Sequence, residues 1–228
     1  MFGYYFDPTM IILIPGIIIS IIAQSMVSSA YRKYKNVGTM NGYTGEQVAR
    51  LMLNEAGLYD VSIEVVNREL GDHYDPRDRV LRLSPDVYSG RTISAAGIAA
   101  HEVGHAIQHK EAYAPLTIRN SIVPVANFGS SFSWILFFIG LFLSIKPLVT
   151  IGIILFSTVV IFQIVTLPVE FNASHRALNI LENRAILYKE EMSGAKKVLT
   201  AAAMTYVASV LMSILQLVRL IAISNRNE

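Results

Sequence analysis

Four stretches of this chain contain no charged residue: between Asp7 and Arg32, between Arg119 and Lys146, between Lys146 and Glu170, and between Lys197 and Arg219. Each is rich in Ile, Leu, Val and Phe and runs for about 20 residues or more, enough for a helix to cross a hydrocarbon core roughly 30 Å thick. The gaps therefore predict four transmembrane helices. Composition agrees, since 53% of the 228 residues are apolar and 16% charged, against about 45–50% and about 25% in soluble domains.

The first run could be a cleaved signal peptide, but no Lys or Arg precedes it and no small-residue cleavage site follows. Pro15 and Gly16 lie inside it and predict a kink, which membrane helices tolerate. Short cytoplasmic flanks collect Lys and Arg. Arg32, Lys33 and Lys35 follow the first run, Lys110 and Arg119 precede the second, and Arg176, Arg184, Lys189, Lys196 and Lys197 lie between the third and fourth. This bias places 32–119 and 170–197 in the cytoplasm, with both termini and the SIKPL hairpin around Lys146 outside, although Arg219 and Arg226 pull the other way for the C-terminus. The expected division is 1–31 as the first span, 32–119 as a cytoplasmic region, 120–169 as a hairpin of the second and third spans, 170–197 as a second cytoplasmic segment, and 198–228 as the fourth span with a short tail. No cysteine is present, so no disulfide forms, and a net charge of +2 gives no indication of nucleic-acid binding. No motif specifies an oligomeric state.

Within 32–119, YTGEQVARLMLNEAG carries Val48, Leu51, Met52 and Ala56 at helical spacing, with Thr44 as N-cap, Glu46 two residues on, and Gly57 as the stop. VSIEVV reads as a strand, GDHYDPRD as turns, and RVLRLSPDVY as a second strand. In the latter Leu83 faces one side and Arg82 and Ser84 the other, the alternation of a half-exposed strand at a sheet edge.

The stretch AGIAAHEVGHAIQH carries three histidines and a glutamate among apolar residues. His101 and His105, four apart, project from one helical face about 6 Å apart along the axis, where two imidazoles can share a cation. Glu102 sits about 100° round the same turn and can reach a water at that cation without ligating it. Zinc would activate this water, and Glu102 would take its proton and pass it to the leaving amine of a cleaved peptide. Burying these groups unpaired would be costly, which favours a metal, although a membrane proton relay is a rival use of such residues. Gly104 lacks a Cβ and leaves room for a substrate or a second helix beside the metal. His109 lies about 12 Å from His101 along an unbroken helix and is expected to be a bystander.

A catalytic zinc keeps three protein ligands and an open position. Glu170, closing the third apolar run in LPVEFNASHRAL, is the best candidate for the third, because two membrane crossings after His105 return it to the same face. It could instead mark only the interface where the span leaves lipid. His175 is the alternative ligand, and His73 could bind metal or donate to a developing oxyanion.

DHYDP, RVLRLSPDVY, AAHEVGHAIQH and LPVEFNASHRAL, in that order and between apolar runs, resemble the YugP-like bacterial membrane zinc metallopeptidases over nearly the whole chain. The resemblance implies one zinc per chain on His101, His105 and Glu170, with Glu102 catalytic. The plan is similar to that of gluzincins, whose glutamate helix often carries an aspartate one turn later to orient a ligand histidine. Here that position is Ser174, with Asn172 nearby, so Ser174 is the candidate for the role. In peptidases of this plan an edge strand holds the extended substrate, which implies Val80, Leu81, Arg82, Leu83 and Ser84.

The expectation is a mainly α-helical membrane protein of four transmembrane helices with a small cytoplasmic α+β zincin-like unit. It would sit in the bacterial cell membrane as a zinc endopeptidase whose site faces the cytoplasm, with the bilayer and a protein or peptide substrate as partners. The competing expectation is a catalytically inactive zinc-binding or ion-conducting membrane protein.

Overall fold

The computed structural model describes residues 7–226. A 3-10 turn over Pro8–Leu13 leads into α1 (Ile14–Tyr34), followed by α2 (Gly45–Glu55), β1 (Ser62–Val65), β2 (His73–Asp75), β3 (Val80–Leu83), α3 (Pro85–Tyr88), α4 (Ile93–Lys110), α5 (Ala114–Phe142), α6 (Lys146–Asn183) and α7 (Lys189–Arg226). Four helices are long and apolar enough to cross a membrane: Pro8–Tyr34, Ala114–Phe142, Lys146–Asn183 and Lys189–Arg226. They match the four charge-free runs. Pro15 stands where the 3-10 winding of Pro8–Leu13 gives way to α1, inside the span Pro8–Tyr34.

The chain divides into two compact units. One comprises the described parts of Met1–Ala23, Ile118–Leu167 and Thr205–Glu228. Phe137, Val149, Phe156, Val160 and Leu220 form its buried cluster. Its helices approach closely at small residues, as membrane helices do when hydrophobicity cannot drive their association. A Cβ on Gly152 would lie 2.8 Å from the Ser133 carbonyl oxygen. Arg219, the first charge after a long apolar run, is neutralised within this unit by Asp7 at 2.9 Å and also donates to Thr9 Oγ1.

The other unit comprises Gln24–Thr117 and Pro168–Met204. Thr44 caps α2 as expected, but Gln47, not Glu46, completes the capping box: the Thr44 side chain accepts from the Gln47 N–H and the Gln47 side chain accepts from the Thr44 N–H. The apolar stripe of α2, Val48, Ala49, Met52 and Leu53, is buried in one cluster with Ala99, Ala100, Val103 and Ala106 of α4. Complete burial of Met52 or Leu53 contributes about 1.5–3 kcal/mol each. Small residues on α4 let its neighbours come close, and Gly104 shows why one of them must be glycine. A Cβ there would lie 2.6 Å from the carbonyl oxygen of Ala173, so α6 passes against the backbone of α4 at this point.

The sheet has the order β1-β3-β2, with β1 parallel and β2 antiparallel to β3. This corrects the edge-strand expectation. Val80, Leu81, Arg82 and Leu83 form the central strand, with neighbours on both sides, and Ser84 has left the sheet to become the N-cap of α3. Val80, Leu81, Leu83 and Ser84 are buried rather than half-exposed. The cause lies in the segment read as turns. Asp72 accepts from the Ser84 N–H at 2.7 Å and from its hydroxyl at 3.1 Å, and this brings residues 73–75 alongside β3. Arg82 is held by Asp75 at 2.9 Å and Asp78 at 3.0 Å.

Candidate metal centre

Helix α4 begins at Thr92, whose side chain accepts from the Ala95 N–H, and runs unbroken through His101, Glu102, His105 and His109. Continuous winding keeps His101 and His105 on one face, with ring centroids 4.7 Å apart and planes 84° apart. Close passage of α6 at Gly104 then sets Glu170 opposite both. Glu170 Oε2 lies 3.3 Å from His101 Nε2 and 3.6 Å from His105 Nε2. Among the described residues this trio forms a group of potential metal ligands, its ligand atoms all within 4.8 Å of one another.

Two observations test whether these groups fit a zinc ion. The first is distance: bonds of about 2.0–2.1 Å at tetrahedral angles hold neighbouring ligand atoms roughly 3.3–3.5 Å apart, close to the 3.3 and 3.6 Å between the carboxylate and the two imidazoles. The second is the direction of the protons. Gln108, wholly buried one turn beyond His105, points its amide nitrogen at the Val169 carbonyl (2.8 Å) and Asn172 Oδ1 (2.9 Å). A backbone carbonyl only accepts, so the other end of the amide, Oε1, faces His105 Nδ1 at 3.0 Å. That oxygen requires the proton on Nδ1, which leaves Nε2 of a neutral ring with its lone pair toward Glu170. Glu170 Oε2 is itself buried with no hydrogen-bond partner. Two acceptors facing one another are satisfied by a cation between them or by a proton on Nε2, and the two imidazoles with the buried carboxylate make a donor set that fits a metal.

In the absence of a metal the same carboxylates favour a proton on His105. Burial works against a charge on His105, yet the carboxylates of Glu170 and Glu102 outweigh it and raise its pKa above that of an ordinary imidazole. His101 is held differently: its Nδ1 lies 3.1 Å from Ser174 Oγ, a hydroxyl that can donate or accept. Ser174 thus occupies the place on α6 from which the sequence expects a ligand histidine to be oriented.

Glu102 is buried, and its Oε2 accepts from the Tyr74 N–H at 3.1 Å. Since that N–H is directed at α4, the outer edge of β2 runs beside Glu102. His73, preceding Tyr74 on this strand, is exposed, with Nδ1 2.7 Å from the Gly71 carbonyl. Its Nδ1 therefore carries the proton, and Nε2 can donate only when the ring is protonated. Burial raises the pKa of Asp72, which the Ser84 N–H and hydroxyl oppose and the Glu102 charge reinforces. His109 is outside the trio, with Nδ1 3.0 Å from the Tyr74 hydroxyl, and His175 faces Asn179. Sequence reasoning missed Gln108 and the Tyr74 amide. Gln108 carried a signal, standing one turn after a proposed ligand in an otherwise apolar helix; a backbone N–H carries none.

The family model described as "Putative neutral zinc metallopeptidase" matches residues 9–225. The chain is 50% identical over 201 residues to "Putative membrane protease YugP" of Bacillus subtilis (strain 168), covering 88% of this chain and 89% of that protein. No solved structure matches it significantly. With the match running nearly end to end, and with two histidines and a glutamate gathered at zinc-ligand spacing, the chain belongs to this neutral zinc metallopeptidase family.

Proposed function

We propose that the protein is a zinc-dependent endopeptidase acting on membrane or membrane-proximal proteins. In this reading 32–119 and 170–197 lie in the cytoplasm and form a zincin-like unit, so the site works at the cytoplasmic surface of the cell membrane. His101, His105 and Glu170 hold one zinc per chain. A zinc bound there supplies a Lewis acid that brings the pKa of a coordinated water toward about 7. Glu102 receives a proton from the attacking water and delivers it to the leaving nitrogen as the C–N bond breaks. The Tyr74 N–H occupies one carboxylate oxygen, which fixes the side chain and leaves the other for that water.

The substrate strand is reassigned to β2, whose outer edge at Tyr74 runs beside Glu102, since β3 has both edges paired. His73, on the same strand, supports a developing oxyanion only as an imidazolium. The observation that carries the proposal is the gathering of His101, His105 and the buried Glu170 with their ligand atoms within 4.8 Å of one another, where the Gln108 oxygen at His105 Nδ1 leaves Nε2 of the neutral ring free to ligate.

The test is zinc content and proteolysis measured together on purified wild type, Glu102→Gln and Glu170→Ala. Expected are bound zinc with activity in the wild type, zinc without activity in Glu102→Gln, and loss of both in Glu170→Ala. Cleavage of casein or a membrane substrate by Glu102→Gln at the wild-type rate overturns the peptidase mechanism, and zinc held by a wild type that cleaves nothing favours an inactive zinc-binding protein. A reporter fusion placing residue 60 outside the cell overturns the topology.

A further inference from the structure

Within the unit that carries the metal centre, a groove of about 660 Å³ runs between α1 and the first turns of α7. Its size falls in the roughly 300–1,000 Å³ range of clefts that hold small organic ligands. Lys33, Lys196 and Lys197 line it, all exposed, and no carboxylate does. Among the described residues none of the three forms a salt bridge; the Lys33 ammonium lies 5.4 Å from the centre of the Tyr34 ring. The nearest acid by sequence, Glu191, is buried and spent on the Met40 and Tyr188 N–H groups.

The hydroxyls of the groove differ from many others in the long helices. Ser20, Ser131, Ser157, Thr166 and Ser209 each bond back to a carbonyl four residues earlier, the usual resort of a hydroxyl in an apolar helix. Ser25, Ser29, Ser193 and Thr200, which line the groove, make no such bond among the described residues. Met26, Ala30 and Ala201 supply apolar wall. Gly194 permits the close approach that forms the groove, since a Cβ there would lie 2.7 Å from the Tyr34 ring.

We infer that this groove is a binding site for an anionic glycerophospholipid. Its phosphate is held by Lys33, Lys196 and Lys197 with hydroxyl donors beside them, and its glycerol and upper acyl carbons lie on the apolar wall. Charge complementarity argues for the anion: three ammonium groups without a carboxylate partner among the described residues, on two helices long and apolar enough to span a membrane, meet in one concave surface, as in headgroup sites between such helices. Volume argues for the lipid over free phosphate, because a lone phosphate would leave most of the groove and all of its apolar wall unused.

Purified full chain, washed in neutral detergent, is mixed with equal phosphatidylglycerol and phosphatidylcholine, and the retained lipid is read by native mass spectrometry. Each lysine near an anionic surface is worth about fivefold in affinity, so Lys196→Gln/Lys197→Gln lowers phosphatidylglycerol retention on the order of 25-fold, while Lys196→Arg/Lys197→Arg keeps it. Zinc content and thermal midpoint serve as folding controls, and the Arg variant keeps the test valid if the Gln variant fails them. Retention of both lipids alike, or equal retention by wild type and a folded Gln variant, overturns the site. Displacement of phosphatidylglycerol by an equal concentration of inorganic phosphate overturns the lipid as its source.

Discussion

Replacing Gln108 with leucine removes three hydrogen bonds at once from the point where α4 and α6 meet: one to His105 Nδ1 (3.0 Å), one to the Val169 carbonyl (2.8 Å) and one to Asn172 Oδ1 (2.9 Å). Volume is nearly conserved, so the cost is polar. The Val169 carbonyl keeps its helical role and Asn172 keeps Arg176 Nε at 2.7 Å, which leaves the His105 Nδ1–H as the group most exposed to loss. One buried donor without a partner costs about 1–3 kcal/mol. Removing an outer partner of a ligating histidine typically lowers metal affinity 10–100-fold, because the ring is freed to rotate and to shift its proton. Gln108→Leu is therefore expected to fold, to lose about 1–3 kcal/mol of stability, and to bind zinc 10–100-fold more weakly.

The assay is competition for zinc against a chromophoric chelator, with the thermal midpoint recorded on the same samples. Ser174→Ala serves as comparison, since its hydroxyl lies 3.1 Å from His101 Nδ1 but does not dictate which ring nitrogen carries the proton. A smaller loss of affinity is expected there. If folded Gln108→Leu binds zinc as tightly as wild type, the proton on His105 Nδ1 is not set by the amide, and the lone-pair argument for a cation fails.

Gly104→Ala places a methyl 2.6 Å from the Ala173 oxygen and forces α4 from α6; overpacking of this kind costs about 1–3 kcal/mol, and zinc release should accompany the fall in thermal midpoint. Stripping zinc with a chelator is expected to lower that midpoint and re-addition to restore it, since a ligand at 1,000 times its Kd stabilises by about 4.1 kcal/mol; an unchanged midpoint would show that the metal does not bind the folded chain selectively. Asp72 has a pKa raised chiefly by burial, so its proton binds the folded state more tightly than the unfolded. That contribution is present below the ordinary carboxylate value and lost as pH rises through the raised one, so Asp72→Asn, still able to accept from Ser84, should raise the thermal midpoint at pH 7 and lose this advantage in acid. A midpoint at pH 7 below that of wild type would contradict the burial argument.

What could be read from the sequence follows the range of the forces involved. The four apolar helices were legible because the requirement is local: roughly 20 residues without a charge meet it wherever they occur. His101 and His105 were legible for the same reason, both lying on one turn of one helix. Glu170 is distant in sequence, yet an even number of apolar runs separates it from His105, so an expected topology stood in for contact.

The central position of β3 was not legible, because it depends on a three-residue partner, His73–Asp75, too short to show alternation. That partner is secured by groups outside the sheet: Ser84 donating to Asp72, and the Tyr74 N–H donating to Glu102. These bonds join the catalytic candidate to the strand beside it, so the contact that hid the strand order also makes β2 the edge that borders the site. A variant that loosens Asp72 from Ser84 therefore perturbs Glu102 through the backbone of Tyr74 without touching a metal ligand, and its proteolytic rate should fall while its zinc content does not. Equal losses of zinc and rate would show instead that β2 supports the whole centre rather than the position of Glu102.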